Sequence, residues 1–276
     1  MGQSNSRRSP FRRHVAVPTD HGSWVFLASP LLIGLFAGGR IDTPTFYLIV
    51  ASICGFLVRQ PITIAVKIFS GRRSREDLEA ALFWIVAYSL IGSVHVLGLV
   101  IRGFDYVLYL LVPAVPVFAW YLILVSRRAE RRQMMLEVVA SGALALTAPA
   151  AMWVGLGGYD SHGWLLWILT WAQSAASIVY TYVRLEQRAR PASEAAGVPH
   201  ARAAVLLASI NLAGVAVLAL LDGVSPWVVA AFVPQWLEVV WGSRHPATGQ
   251  KPRTIGMRQL LVSTLFTALF LIGVRS

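Results

Sequence analysis

Nine apolar stretches, each close to the length of a membrane span, constrain the fold of this chain more than any motif. The hydrocarbon core of a bilayer is about 30 Å thick, and a helix needs about 20 mostly apolar residues to cross it. No stretch shows the alternation of a membrane β-barrel strand. The sequence therefore predicts an all-α polytopic membrane protein with nine transmembrane helices at residues 22–39, 44–69, 80–101, 104–126, 136–157, 163–183, 202–221, 225–243 and 257–274.

Composition supports the membrane class and defines the predicted domains. Of the 276 residues, 56% are hydrophobic and only 13% are charged, whereas about 25% are charged in a typical soluble domain. Residues 1–18 are polar and basic and have no small-residue cleavage site after a short apolar region. We expect residues 1–18 to form a disordered basic cytoplasmic arm and residues 19–276 to form one nine-helix transmembrane domain.

Basic residues alternate between the two sides of the predicted bundle. Four Lys or Arg fall in each of five segments on one side, which accounts for 20 of the 24 basic residues. Cytoplasmic loops are enriched in Lys and Arg, so we expect a plasma (inner) membrane protein with a cytoplasmic N-terminus and an external C-terminus. The net charge of +11 then reflects topology and attraction to anionic lipids. We expect membrane lipids as partners and no nucleic acid.

The second predicted helix places charged and polar groups where hydrocarbon is expected. Arg59 and Gln60 are followed by mostly apolar residues up to Lys67. A charge at membrane depth is costly and usually faces a cavity or a partner, and a guanidinium matches phosphate or carboxylate. Arg59, Gln60 and Lys67 are therefore candidate anion ligands. Alternatively, Arg59 snorkels to the interface or pairs with Glu238.

Further candidates lie at other helix ends. Glu238 lies within an apolar span and is a candidate proton carrier or partner of Arg59. Asp20 and His21 form a candidate acid–base pair at the membrane entrance, or else a helix cap and an interfacial histidine. Arg184, in TYVRLEQR, follows an apolar run with an aromatic residue, as Arg59 does in FLVRQP. This similarity is weak evidence for an internal repeat, and chance explains it adequately. No paired histidines, zinc motif or Walker motif is present, so we expect no haem, metal or other cofactor.

Three segments together resemble the YwiC-like family of bacterial membrane proteins. They are PTDHGSWVFLASPLLIGL near the start, FLVRQPITIAVK in the second helix and KPRTIGMRQLLVSTLF near the end. The family carries no settled function that the resemblance could imply for this chain.

A looser resemblance is to the UbiA superfamily of intramembrane prenyltransferases, which implies a UbiA-like helical bundle. That superfamily has polar motifs after its second and sixth helices, where aspartates hold Mg²⁺ on a prenyl diphosphate. Here these positions read Arg59-Gln60-Pro61 and Tyr182-Val183-Arg184-Leu185-Glu186, without aspartate. The resemblance implies a cavity in which Arg59, Lys67 and Arg184 hold an anion without a metal, and at most a degenerate prenyltransferase-like activity.

These observations leave three functions open. The first is a cationic cytoplasmic-side cavity that binds or processes an amphipathic anionic lipid or a prenyl-phosphate-like molecule. The second is a transporter or proton-coupled carrier in which Glu238, Asp20 and His21 titrate. The third is a non-catalytic accessory subunit of a membrane complex.

Overall fold

The fold is known from a computed structural model that describes residues 12–18, 21–127, 134–191 and 197–275. These residues contain helices and no strand. Two 3₁₀ turns, Arg75–Asp77 and Asp105–Leu110, lead into the fourth and fifth helices. The helices are α1 (Arg13–Ala16), α2 (His21–Gly38), α3 (Thr43–Phe69), α4 (Leu78–Ile101), α5 (Leu111–Ser126), α6 (Met134–Ala145), α7 (Thr147–Leu156), α8 (His162–Arg188), α9 (Pro199–Leu220), α10 (Pro226–Arg244) and α11 (Pro252–Arg275).

Six helical stretches of the described chain are long and apolar enough to cross a membrane, and α2 contributes a shorter apolar helix at Gly22–Gly38. The prediction of an all-α, membrane-embedded protein is confirmed at this level. Helices α8 and α10 have 27 and 19 residues, but polar side chains in their interiors lower their hydropathy. The six stretches are Thr43–Phe69, Arg75–Ile101, Asp105–Ser126, Met134–Leu156, His200–Leu220 and Pro252–Val274.

The surface of α4 shows why the bundle suits lipid rather than water. Leu82, Val86, Leu90, Val94 and Leu97 recur at helical spacing on this helix and are all exposed. A soluble protein rarely exposes a continuous apolar face of this size. Such a face needs lipid or another apolar surface around it.

Two helices differ from the predicted spans in ways that matter for the site, whereas α3 agrees with its predicted span of 44–69. The fifth predicted span is divided at Leu146 into α6 and α7. Helix α3 continues through Pro61, so Arg59 and Lys67 lie on one unbroken helix. Helix α8 continues past the predicted end at residue 183 to Arg188. Arg184 is therefore inside a helix rather than in a loop.

The C-terminal part of the predicted arm is packed against the bundle. Val15 is fully buried and Ala16 is nearly so, because α1 lies against α3 and α4. The Tyr88 hydroxyl donates a hydrogen bond to the Ala16 carbonyl at 3.1 Å. Residues 12–18 thus differ from the predicted disordered arm, since two apolar side chains give them a surface to bury. Residues 1–11 lie outside the described residues.

Small residues allow α2 and α7 to approach closely. A Cβ atom added at Gly38 would lie 2.9 Å from the Cα atom of Gly155, and one added at Gly34 would collide with the backbone of Ala148. Small residues at helix interfaces let backbones approach in membrane proteins. Gly34 and Gly38 are therefore the residues of α2 that let it pack closely on α7.

The helices form two groups that meet where α7 packs on both α3 and α8 and where α5 packs on α6. Helix α3 packs on α1, α4, α5 and α7, whereas α8 packs on α2, α6, α7, α9, α10 and α11. Helices α10 and α11 also pack on each other, and α11 reaches α2. Arg59 therefore belongs to the first group, and Arg184 and Glu238 belong to the second.

Candidate ligand-binding site

One face of α8 carries the most buried charge of the predicted set. Tyr180, Arg184 and Gln187 are three or four positions apart and lie on the same side of the helix. Arg184 is 2% exposed and Gln187 is fully buried. A buried guanidinium requires hydrogen-bond partners that compensate for its desolvation.

Arg184 finds those partners on α8 itself, in the last turn of α10 and in the connection that follows α10. Its Nη1 donates to Gln187 Oε1 at 2.9 Å. The same nitrogen donates to the carbonyl oxygens of Gly242 at 2.9 Å and His245 at 2.6 Å. Gln187 Oε1 also accepts from the backbone N–H of Ala247 at 3.3 Å. Arg184 therefore anchors this loop to α8.

A second charged group, Glu238, lies on α10 one helical turn before Gly242. Glu238 Oε1 accepts a hydrogen bond from the Tyr180 hydroxyl at 3.0 Å. Glu238 Oε2 accepts from Arg258 Nη2, on α11, at 2.7 Å. The Arg258 guanidinium also lies 4.2 Å from the ring centroid of Trp241, in the geometry of a cation–π contact. Helices α8, α10 and α11 thus meet at one ion pair.

Close helix approach supports this arrangement. The Tyr180 hydroxyl lies where a Cβ atom on residue 242 would be, so only glycine fits at Gly242. The carbonyl of the same Gly242 is a partner of Arg184. The contact brings α10 near enough to α8 for Tyr180 to reach Glu238.

An open apolar groove of about 740 Å³ between α10 and α11 ends at this ion pair. Glu238 is the one charged residue in its lining. The Glu238 side chain is 12% exposed and the Arg258 side chain is 37% exposed, so the cation is the more accessible partner. The lining residues are Ala230, Val233, Pro234, Leu237, Glu238, Trp241, Leu261, Val262, Leu265 and Leu269.

The structure does not bring the predicted residues of α3 to this groove. The Arg59 guanidinium lies 5.7 Å from the Phe56 ring centroid and 5.8 Å from that of Tyr121. Gln60 Nε2 donates to the His14 carbonyl at 3.2 Å. Lys67 lies in the last turn of α3. The cation that the structure pairs with Glu238 is Arg258, and the proposed roles of Arg59 stay predictions.

The predicted Asp20–His21 pair falls at the edge of the described chain. Asp20 lies outside the described residues. His21 is the first residue of α2, and its side chain is likewise outside the described part. Their predicted roles stay predictions.

A second buried carboxylate, Asp77, lies in the first group of helices. Asp77 Oδ1 accepts from Arg12 Nη1 at 2.5 Å, and Oδ2 accepts from Arg73 Nη2 at 2.5 Å. His14 Nε2 lies 3.2 Å from both oxygens. The contact of the N-terminal segment with Asp77 was not predicted from the sequence.

Sequence reasoning also missed Arg258, Tyr180 and Trp241. Arg258 lies seven residues after Lys251 and five after Arg253, so it was counted among the loop cations. Glu238 is the residue that could have indicated these partners. A carboxylate inside an apolar span needs a cation or a hydroxyl from a neighbouring helix. Arg258 follows Pro252, which opens α11.

Long apolar helices with exposed apolar side chains and internal ion pairs define a membrane-embedded helical protein. Residues 17–152 match the family model described as YwiC-like protein. This part of the chain therefore belongs to the YwiC-like family, in agreement with the first two motifs; the third lies beyond the match. No curated protein and no solved structure matches the chain. The UbiA-like bundle stays a prediction.

Proposed function

We propose that this protein binds an amphipathic anionic lipid, with a phosphate-type head group, in the groove between α10 and α11. The observation that carries the proposal is the apolar groove whose lining residues Glu238 and Trp241 both contact a partly exposed arginine, Arg258. Apolar walls suit a hydrocarbon chain, and an arginine fork suits phosphate. The proposal concerns binding and assigns no reaction.

The dimensions of the groove support a lipid chain as the ligand. Its lining on α10 runs from Ala230 to Trp241, and 11 helical rises of 1.5 Å give about 16 Å. This length suits an acyl or prenyl chain of about a dozen carbons extended along the helix. Leu237, Leu261 and Leu265 are exposed along this path, so they are available to contact a chain.

The charges at the end of the groove support an anionic head group. Arg184, Arg258 and Glu238 together carry two positive charges and one negative charge. Arginine has five N–H donors, and Glu238 uses Nη2 of Arg258. The other donors of Arg258 are the ones that we assign to the head group, whereas Nη1 of Arg184 is occupied by the loop.

We further propose a nine-span layout with a UbiA-like arrangement, a cytoplasmic N-terminus and an external C-terminus in the plasma (inner) membrane. The support comes from the alternation of basic residues along the chain. In this layout the C-terminal end of α8 faces the cytoplasm, so the head-group site is on the cytoplasmic side.

Native mass spectrometry of the purified full-length protein tests the ligand proposal. The probes are a phosphatidylglycerol and a long-chain prenyl monophosphate, each added in mixed micelles. We expect Arg258→Gln to weaken retention about tenfold, because a hydrogen bond to a charged group contributes about 1.5–3 kcal/mol. Arg253→Gln is the matched control, since it removes the same charge from an exposed position on the same helix.

A second pair of variants tests the groove without breaking the ion pair. Leu265→Trp fills the groove from α11, whereas Leu260→Trp adds the same volume at an exposed position outside its lining. We expect retention to fall only for Leu265→Trp. Equal losses in both members of either pair, or no loss in any variant, would contradict the proposal.

The same assay tests the predicted ligand contacts of α3. Arg59, Gln60 and Lys67 remain predicted contacts, and Arg59→Gln removes the deepest charge among them. We expect Arg59→Gln to retain lipid better than Arg258→Gln does. The reverse order would move the head-group site to the first group of helices.

A further inference from the structure

Both walls of the groove between α10 and α11 continue into an arginine at the same end. On α10 the last lining residue is Trp241, and Arg244 follows it by three positions within the helix. On α11 the first lining residue is Leu261, and Arg258 precedes it by three positions. Three positions correspond to about 4.5 Å along a helix axis. Each wall therefore has a cation about one turn beyond its last apolar contact.

Helical register places Arg244 on the groove side of α10. Leu237, Trp241 and Arg244 are separated by four and three positions, so they are neighbours on one side of the helix. Leu237 and Trp241 both line the groove. The Arg258 guanidinium, from the opposite wall, lies 4.2 Å from the centroid of the Trp241 ring. Trp241 is thus the point at which the two arginine-bearing walls meet.

The two arginines differ in how they are held. Arg258 is paired with Glu238 at 2.7 Å, so part of its charge is already compensated. Arg244 is exposed, and within the part of the chain that the structure describes it forms no ion pair and no side-chain hydrogen bond. All the N–H donors of the Arg244 guanidinium are therefore available to an anion at this end of the groove.

The charges around Trp241 match an anion with two negative charges. The guanidinium of Arg184 lies 5.8 Å from the Trp241 ring centroid, on the same residue as that of Arg258. With histidine counted as neutral, the three positive charges are those of Arg184, Arg244 and Arg258, and the one negative charge is that of Glu238. The net charge of this cluster is therefore +2. A phosphate monoester carries nearly two negative charges at neutral pH, whereas a phosphodiester carries one.

We propose that this groove selects a lipid that ends in a phosphate monoester over a lipid with a phosphodiester head group, and that Arg244 is the second head-group ligand. This inference rests on the proposed lipid binding in the groove and adds the chemical class of the head group. A guanidinium presents a planar fork of donors to phosphate oxygens. A monoester has three terminal oxygens to accept from Arg244 and Arg258, whereas esterification leaves a diester with two.

Competition between two lipids with identical acyl chains tests the selection. The probes are phosphatidic acid, a monoester, and phosphatidylglycerol, a diester, added together to the full-length protein at pH 8 and detected by native mass spectrometry. We expect the wild-type protein to retain phosphatidic acid about tenfold better, as for one additional hydrogen bond between charged groups. Arg244→Gln should bring the retention ratio of the two lipids close to one. Arg253→Gln, which removes the same charge from an exposed position on α11, should leave the ratio unchanged.

The outcomes separate this inference from the proposed lipid binding. Equal retention of the two lipids by the wild-type protein, or an unchanged ratio in Arg244→Gln, would overturn the inference. Equal loss of selection in Arg244→Gln and Arg253→Gln would overturn it too, because total charge rather than position would then decide. If Leu265→Trp lowers retention of both lipids while the wild-type ratio is one, lipid binding in the groove stands without selection. If Leu265→Trp changes neither lipid, the groove is not the site and both proposals are wrong.

Discussion

Asp77 and Glu238 are two carboxylates of similar burial, with side chains 8% and 12% exposed, and each is paired with arginine. Asp77 is surrounded by Arg12, His14 and Arg73, which close over it from two chain segments. Glu238 has one arginine and one tyrosine, and it lies at the end of an open groove. The comparison indicates that the two carboxylates differ in the access beside the ion pair rather than in burial or pairing.

The difference follows from what each carboxylate holds in place. Asp77 joins the N-terminal segment to the start of α4, and three basic side chains contact its carboxylate. Glu238 joins α8 to α11, and its cation is partly exposed next to apolar walls. We therefore interpret the Asp77 cluster as a structural latch and the Glu238 cluster as the end of a ligand site. Three substitutions test this distinction.

Arg184→Met is expected to have the largest effect, because it removes the anchor behind the Glu238 cluster. The carbonyls of Gly242 and His245 and the amide of Gln187 would lose their shared donor. Breaking a buried charged network by removing one partner typically costs 3–5 kcal/mol, so we expect a loss of about 4 kcal/mol. The measurement is the free energy of unfolding in mixed micelles titrated with sodium dodecyl sulfate.

Arg188→Met is the matched control for that loss. Arg188 is on the same helix, is exposed, and donates from Nε to the Gln250 carbonyl at 2.8 Å. We expect a change within about 0.5 kcal/mol, as for ordinary surface substitutions. If Arg184→Met unfolds like Arg188→Met but releases bound lipid, Arg184 is a ligand contact rather than an anchor.

Asp77→Asn should have an intermediate effect and should act on the N-terminal segment. Loss of the carboxylate leaves Arg12 and Arg73 without their common anion, but both side chains are partly exposed. We expect a loss of about 2 kcal/mol, below the range for fully buried pairs. Limited trypsin digestion should cleave faster at Arg12 and Arg13, because the segment would detach from α3 and α4.

Glu76→Gln provides the comparison for the latch, since Glu76 is the exposed acid next to Asp77. We expect its trypsin cleavage rate to match the wild-type rate. Lipid retention should stay unchanged in both variants, because neither residue lies at the groove. Reduced lipid retention in Asp77→Asn but not in Glu76→Gln would mean that the Asp77 cluster also affects lipid binding. The distinction between a structural cluster and a ligand site would then be wrong.

The class of the protein was predictable from sequence because span length and loop charge are local properties. Apolar stretches predicted the positions of the long helices. Span length and loop charge depend only on the residues within one segment. They need no knowledge of which helices become neighbours.

The composition of the candidate site was not predictable in the same way. Arg59 lies inside one predicted span and Arg184 lies just past the end of another, and only tertiary packing separates a residue of the α3 group from one of the α8 group. Arg258 was counted as a loop cation because its role depends on α11 lying beside Glu238. Pairing between distant helices is a non-local property that periodicity and composition do not encode.

Tyr180→Phe is expected to have the smallest effect and tests whether α8 positions the ion pair. The substitution removes the hydrogen bond from the Tyr180 hydroxyl to Glu238 but keeps the ring and its packing. A single hydrogen bond of this kind contributes about 1–2 kcal/mol, and the remaining bond from Arg258 limits the loss to about 1 kcal/mol. Tyr182→Phe is the control, since that hydroxyl donates to Glu137 at an exposed position. A loss confined to Tyr180→Phe, together with weaker lipid retention, would show that α8 holds Glu238 and Arg258 in register with the groove. Equal behaviour of the two variants would mean that α10 and α11 position the pair without α8.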